Sequence, residues 1–257
     1  MLQRTGMKRL PAPAAFGISF TVMLVLWQLA AAVVRSPLIL PYPAETAAAL
    51  CRNIRTPVFW QHIGATALRS VAAFAVSVTA GTVIGVCCGV SKTFRRLLEF
   101  PLAVIRSTPV VSFILLSIFW FGSSLVPVFV SVLMSLPVVI AAVSAGIGSA
   151  DRKLLDCARV YGFSAARTAR YVYLPSCTPY FWSGALSAFG LSWKVVAAGE
   201  VLSLPRRAAG TLLYNAKVHL ETADVFAVTI VLIILCFTLE TGFAALLRRR
   251  GLRTDGV

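Results

Sequence analysis

The stretch LVPVFVSVLMSLPVVIAAVSAGIGSADRKLLDCARVYGFSAARTARYVYLP, Leu125–Pro175, joins an apolar block to a polar, basic segment. Leu125–Ile147 has about the length that crosses roughly 30 Å of hydrocarbon as a helix. The segment behind it, residues 149–175, carries Arg152, Lys153, Arg159, Arg167 and Arg170. A charged segment of this size between two greasy blocks has to meet water, so the chain leaves the bilayer here.

The same apolar pattern recurs on either side. Candidate spans are Ala14–Val34, Ala65–Val90, Leu97–Phe121, Leu125–Ile147, Pro179–Leu202 and Val225–Leu247. Of the 257 residues, 58% are hydrophobic and 13% charged, against about a quarter charged in a soluble domain. We expect an all-α membrane protein of about six transmembrane helices. It reads as one domain over residues 1–257, with a core from about 60 to 247.

The net charge of +15 is explained by its placement. With a cytoplasmic amino terminus, the inside segments hold Arg4, Lys8, Arg9, Lys92, Arg95, Arg96 and Arg106. They also hold the five basic residues of 149–175 and Arg248, Arg249, Arg250 and Arg253. The outside segments hold only Arg35, Arg52, Arg55, Arg206, Arg207 and Lys217. Sixteen against six is the bias that puts both termini in the cytoplasm. Nucleic acid is not expected, since no segment is long enough to fold an aqueous basic face. The amino-terminal run resembles a signal peptide, but at about 20 residues it exceeds the 7–15 of a signal core. It is read as an uncleaved first helix. The six cysteines have no metal-ligand spacing, so neither disulfides nor a metal site is expected.

Several features along the chain point to helix packing. Leu40-Pro41-Tyr42-Pro43 gives an extended entry to a short amphipathic piece, Ala44–Ile54, and Trp60 reads as an interfacial anchor. Ser77, Gly81, Gly85 and Gly89 recur every four residues, which on a helix is one groove of small residues for a close neighbour. Pro101, Pro109, Pro127 and Pro137 free carbonyls in the third and fourth spans, which suits helices lining a cavity and also plain packing.

Three charges lie at membrane depth: Arg69, Lys194 and Glu200. Such groups face protein or water rather than lipid. Arg69 is near enough to its helix end to snorkel. Glu200 is either half of an ion pair with a neighbouring helix or loop, or part of a translocation path; Lys194 is open between the same two readings. Arg106 is a further candidate for lining a path.

Within residues 149–175, Ser149 or Asp151 can cap a helix that runs to Gly162, where a left-handed stop suits glycine. Ser164 can cap a second helix to about Tyr173 before Leu174-Pro175. The expected product is a helix–turn–helix along the membrane surface, with small residues on its tight side and arginines between them. That is a docking element.

The spacing of this segment resembles the EAA loop of inner-membrane permease subunits of binding-protein-dependent ABC importers. That pattern reads Glu-Ala-Ala, three residues, Gly, nine residues, Ile, one residue, Leu-Pro. Here Asp156, Cys157 and Ala158 stand at the triplet, Gly162 at the glycine, Val172 at the isoleucine and Leu174-Pro175 at the end. Asp156 and Cys157 depart from the pattern without moving its register. Leu40–Pro43, Trp60-Gln61-His62, Arg69, Arg106–Pro109, Phe119–Gly122 and Ser192–Glu200 look like elements of the nitrate, sulfonate, taurine and bicarbonate branch.

The resemblance implies a type I importer permease in the bacterial inner membrane that pairs with a second permease copy. An ABC ATPase dimer would dock on the loop, and an extracytoplasmic substrate-binding protein would deliver a small solute such as sulfonate, nitrate or bicarbonate. A vitamin precursor such as a thiamine pyrimidine is the alternative cargo. The chain has no G-x-x-x-x-G-K-[ST] phosphate loop, so no cofactor is expected on it. ATP and Mg²⁺ would sit on the partner ATPase, and lipid would surround the rest. No catalytic constellation is present, and His62 and His219 read as surface residues of outside segments. A secondary transporter would favour inverted repeats around midplane acids, and no convincing repeat is seen. A membrane-embedded enzyme would need paired acid/base or metal-ligand residues at one depth, and none appear.

Overall fold

The computed structural model of the protein describes residues 12–249, with side chains described from 15 to 247. Arg4, Lys8, Arg9, Arg250 and Arg253 lie outside the described residues, as do the side chains of Arg248 and Arg249. The helices are α1 (Ala12–Val34), α2 (Pro43–Ile54), α3 (Pro57–Val90), α4 (Lys92–Ser107), α5 (Val110–Ile118) and α6 (Val126–Gly148). They continue as α7 (Arg152–Val160), α8 (Ala165–Thr168), a π turn (Ala169–Tyr173), α9 (Leu174–Ser203), α10 (Ala209–Val218) and α11 (Thr222–Arg249). No strand occurs among the described residues.

Five helical stretches are each long and apolar enough to cross a membrane. The third span expected at Leu97–Phe121 is not one rod: α4 and α5 meet at 94°. Pro109 lacks an N–H and pushes Thr108 into extended backbone (φ −80°, ψ 130°). The Ser107 and Thr108 hydroxyls donate to the Val104 carbonyl at 3.1 and 2.7 Å, beside the Thr108 N–H that closes the last turn of α4 on the same oxygen at 3.1 Å. Pro127 falls in the first turn of α6, where a missing N–H costs nothing.

The core is the packing of α3 on α6 and of α6 on α9. A Cβ on Gly81, Gly85 or Gly89 would lie 2.7 Å from the Cβ of Val139, Val143 or Ile147 respectively. Four-residue spacing on α3 therefore meets four-residue spacing on α6, with the two helices running in the same direction. On its other side, α6 meets Gly184 at Ala142 and Gly199 at Pro127. Ser135 and Ser192 share a hydrogen bond of 3.1 Å, and Ser131 donates to the Ser192 carbonyl at 3.3 Å. Close backbones and serine bonds are what hold helices together where lipid removes the hydrophobic drive.

From Ala165 to Ser203 the chain is one continuous helical stretch of 39 residues, about 58 Å long. The second surface helix expected before Leu174-Pro175 is instead the beginning of the fifth span. The π turn explains the continuity: the Leu174 N–H bonds back to Ala169, which shifts the register just where Pro175 removes a donor.

Candidate functional site

The segment between α6 and α9 is built by local caps. The Asp151 carboxylate accepts the Lys153 N–H at 2.9 Å and starts α7. At the far end, the Gly162 N–H donates to Arg159 (3.1 Å) and the Phe163 N–H to Ala158 (2.8 Å). These are the two bonds of a left-handed helix stop, and Gly162 has φ +65°. The Ser164 hydroxyl accepts the Arg167 N–H at 3.4 Å and starts α8.

Of the positions singled out in this segment, Ala158 and Val172 are buried, whereas Asp156, Cys157, Gly162, Leu174 and Pro175 are exposed. The outward face carries Val160 (85% exposed) and Tyr161 (78%). Arg159 sits beside Asp156 at 3.2 Å, a surface pair of little energetic weight. The result is an apolar knuckle ringed by arginines, anchored on its inner side by Ala158 and Val172. Space around Gly162 is open, so the demand there is for backbone conformation, not for room.

At the other end of the spans lies a buried polar node. Glu200 is 0% exposed. One of its oxygens accepts from Arg69 Nη1 at 2.8 Å. The other accepts from the Thr66 hydroxyl at 2.7 Å and the Gly210 N–H at 3.2 Å. Arg69 also donates to the Arg207 carbonyl (2.8 Å), and the Ala209 N–H donates to Thr66 (2.8 Å). The first N–H groups of α10 thus point at a carboxylate and a hydroxyl held by α3 and α9, a favourable placement for negative charge. A Cβ on Gly210 would overlap Glu200 itself. Arg69 does not snorkel but turns inward, and Glu200 is ion-paired with it. His62 accepts the Ala208 N–H at 3.0 Å and belongs to the same tie.

Arg106 donates to the Pro137 carbonyl at 3.1 Å. It shares a cleft of about 480 Å³ between α4 and α6 with Glu99 and Arg95. Arg95 donates to the Ser144 hydroxyl at 2.7 Å and the Cys88 carbonyl at 3.3 Å. Lys194 is exposed on α9 and is not among the residues lining the cleft that holds Arg106. It lines a groove against α11 that also holds Glu240. Thr66, Gly210 and Glu240 are absent from the sequence expectations. Glu240 carried a signal, as an acid within an apolar block; Thr66 and Gly210 carried none.

Residues 77–252 match the family model described as binding-protein-dependent transport system inner membrane component. The chain is 28% identical over 244 residues to the taurine transport system permease protein TauC of Escherichia coli (strain K12), covering 91% of this chain and 87% of that protein. It is 29% identical over 240 residues to the riboflavin transport system permease protein RibX of Chloroflexus aurantiacus (strain ATCC 29366 / DSM 635 / J-10-fl), covering 91% and 88%. Among solved structures, an inward-facing MetNI methionine ABC transporter superposes with a TM-score of 0.60 at 17% identity, over 74% of this chain and 93% of that one. That last likeness concerns the fold alone.

Proposed function

We propose, on the premise that this chain belongs to the family of binding-protein-dependent transport system inner membrane components, that it imports a small sulfonate-like anion. The chain is a multi-pass inner-membrane permease subunit of an ABC importer that works with an ATPase and a binding protein. In this reading the ATPase docks on residues 149–175 from the cytoplasm, two permease copies form the translocation unit, and ATP and Mg²⁺ stay on the ATPase.

One observation carries the docking reading. The Asp156–Cys157 face and the Gly162 turn are presented to solvent, and the helix that follows runs unbroken to Glu200. A push on the knuckle is thereby delivered to a helix that reaches the opposite end of the domain. The names of relatives support a sulfonate, since TauC is named for taurine transport. RibX is named for riboflavin, so likeness of this degree leaves the cargo to be tested.

Replacing Gly162 with leucine tests the docking. The chain should still insert, and the purified assembly should lose at least tenfold of its binding-protein-stimulated ATP hydrolysis. Uptake at the wild-type rate in such a variant would reject docking at this turn.

A further inference from the structure

Beside the seam of α3 and α6 lies a second groove, of about 440 Å³. Val143 and Ile147 of α6 form its floor and Thr82, Val86 and Val90 of α3 one wall. The other wall runs from Ala169 to Trp182, along the π turn and the start of α9. α6 runs with α3 and against α9, since Gly146 meets Cys177 and Gly199 meets Pro127. Val90 and Ala169 therefore share one end of the groove, and Thr82 and Trp182 the other. At the Trp182 end, Phe243 packs edge-on to the indole with centroids 6.2 Å apart, so α11 borders the groove there. From Thr82 to Val90 the wall is roughly 12 Å long.

Hydrocarbon fits this groove and a polar solute does not. The Thr82 hydroxyl donates to the Val78 carbonyl at 2.6 Å and the Thr178 hydroxyl to Leu174 at 2.7 Å. The Cys177 thiol donates to Val143 at 3.6 Å. A polar ligand would give up its water and gain nothing from these groups. The end at Val90 and Ala169 is basic by contrast. Lys92 follows Val90 by two residues, Arg170 follows Ala169 directly, and both are exposed. The Arg170 guanidinium lies over the Tyr171 ring, 6.0 Å from its centroid. Among the described residues, the ion pairs are Arg52–Asp224, Arg69–Glu200 and Arg159–Asp156, none of which uses Lys92 or Arg170. No acidic residue lines the groove. A helix of a second copy would cover the apolar walls and leave both cations without a counter-charge. An acyl chain on an anionic headgroup answers both.

We propose that this groove holds one anionic phospholipid of the cytoplasmic leaflet. Its acyl chain lies between α3 and α9 on Val143 and Ile147, and its phosphate lies on Arg170 and Lys92. Basic side chains at the end of any span reach for headgroups; here a slot for the chain stands directly behind them. Basic pockets between spanning helices on the cytoplasmic side take anionic headgroups. Ala169 and Tyr173 belong to the π turn through which the docking segment enters α9, so the lipid sits where that helix meets α3. The cytoplasmic placement of this end follows from the distribution of basic residues and stands apart from the importer reading.

The test is photolabelling of the permease–ATPase assembly in lipid nanodiscs. Probes are phosphatidylglycerol and phosphatidylcholine with the same diazirine-bearing acyl chain, and labelled peptides are identified by mass spectrometry. At equal mole fraction, phosphatidylglycerol should label residues 82–90 and 169–182 roughly tenfold more than phosphatidylcholine. Lys92→Gln with Arg170→Gln should bring the two probes level. Val86→Trp fills the groove from an exposed position and should lower labelling by both. Equal labelling of the wild type by the two probes overturns the proposal, as does a preference that survives the loss of both cations, or labelling that Val86→Trp leaves unchanged. A groove left unlabelled while α1 is labelled shows that protein, such as a second copy, covers it, and overturns the proposal too. Copurification of the ATPase is read in the same samples. Its absence from the wild type would sink the importer reading and leave the lipid labels to be judged on their own.

Discussion

Arg69 and Glu200 stand 131 positions apart in the chain, yet their side chains meet at 2.8 Å where α3, α9 and the start of α10 converge. Glu200 is fully buried and the Arg69 side chain is 16% exposed. Removing one member of such a pair strands the other, at a cost of about 3–5 kcal/mol. Arg69→Leu should therefore lower the melting temperature of the purified permease sharply, and Arg69→Leu with Glu200→Leu should recover part of the loss. A double variant as unstable as the single one would show that the carboxylate serves α10, through Gly210 and Thr66, more than it serves Arg69.

The α3–α6 contact can be tested by adding volume to it. Gly85→Ala places a methyl 2.7 Å from the Val143 Cβ, and overpacking of this kind costs about 1–3 kcal/mol. Gly64→Ala on the same helix, where nothing lies within 4 Å of the added methyl, is the control and should cost nothing. We expect the thermal stability of Gly85→Ala to fall below that of Gly64→Ala.

Gly162 has φ +65° and open space around it, so substitutions should rank by tolerance of left-handed backbone. Asparagine enters that region readily and β-branched residues hardly at all. ATP hydrolysis stimulated by the binding protein should fall in the order Gly162, Gly162→Asn, Gly162→Ala, Gly162→Val. A flat series would remove backbone conformation as the reason for this glycine.

Cys51 and Cys157 are exposed at opposite ends of the spans. A membrane-impermeant maleimide should label Cys51 in right-side-out vesicles and Cys157 in inside-out ones, and bound ATPase should slow the reaction at Cys157. The reverse pattern would invert the proposed topology.

What the chain states locally, it states well. The apolar blocks mark α1, α6 and α11 to within a few residues, and Asp151, Gly162 and Ser164 announce the caps they form, because each acts on backbone within three positions. The 94° break at Pro109 is harder to read. Proline signals a disturbance, but its angle depends on how α4 settles against α6 through Arg95 and Arg106. The node at Glu200 is harder still: Thr66, Arg69 and Gly210 come from two other elements, and nothing in their own neighbourhoods points to a common carboxylate. Glu240 is visible as an acid in a greasy block, but its relation to Lys194 exists only once α11 lies along α9.

The matched four-residue spacing of Gly81, Gly85 and Gly89 against Val139, Val143 and Ile147 sets a rule for movement. Each β-branched side chain sits in a notch, and successive notches along α3 are about 6 Å apart. Small axial slips lift all three side chains onto the rims together, while a slip of one full notch seats two of them again. Sliding between α3 and α6 is therefore stepped, as in a ratchet. The pair either holds its register or jumps by one turn, so a smooth rocking of the domain must turn about this seam and leave it intact.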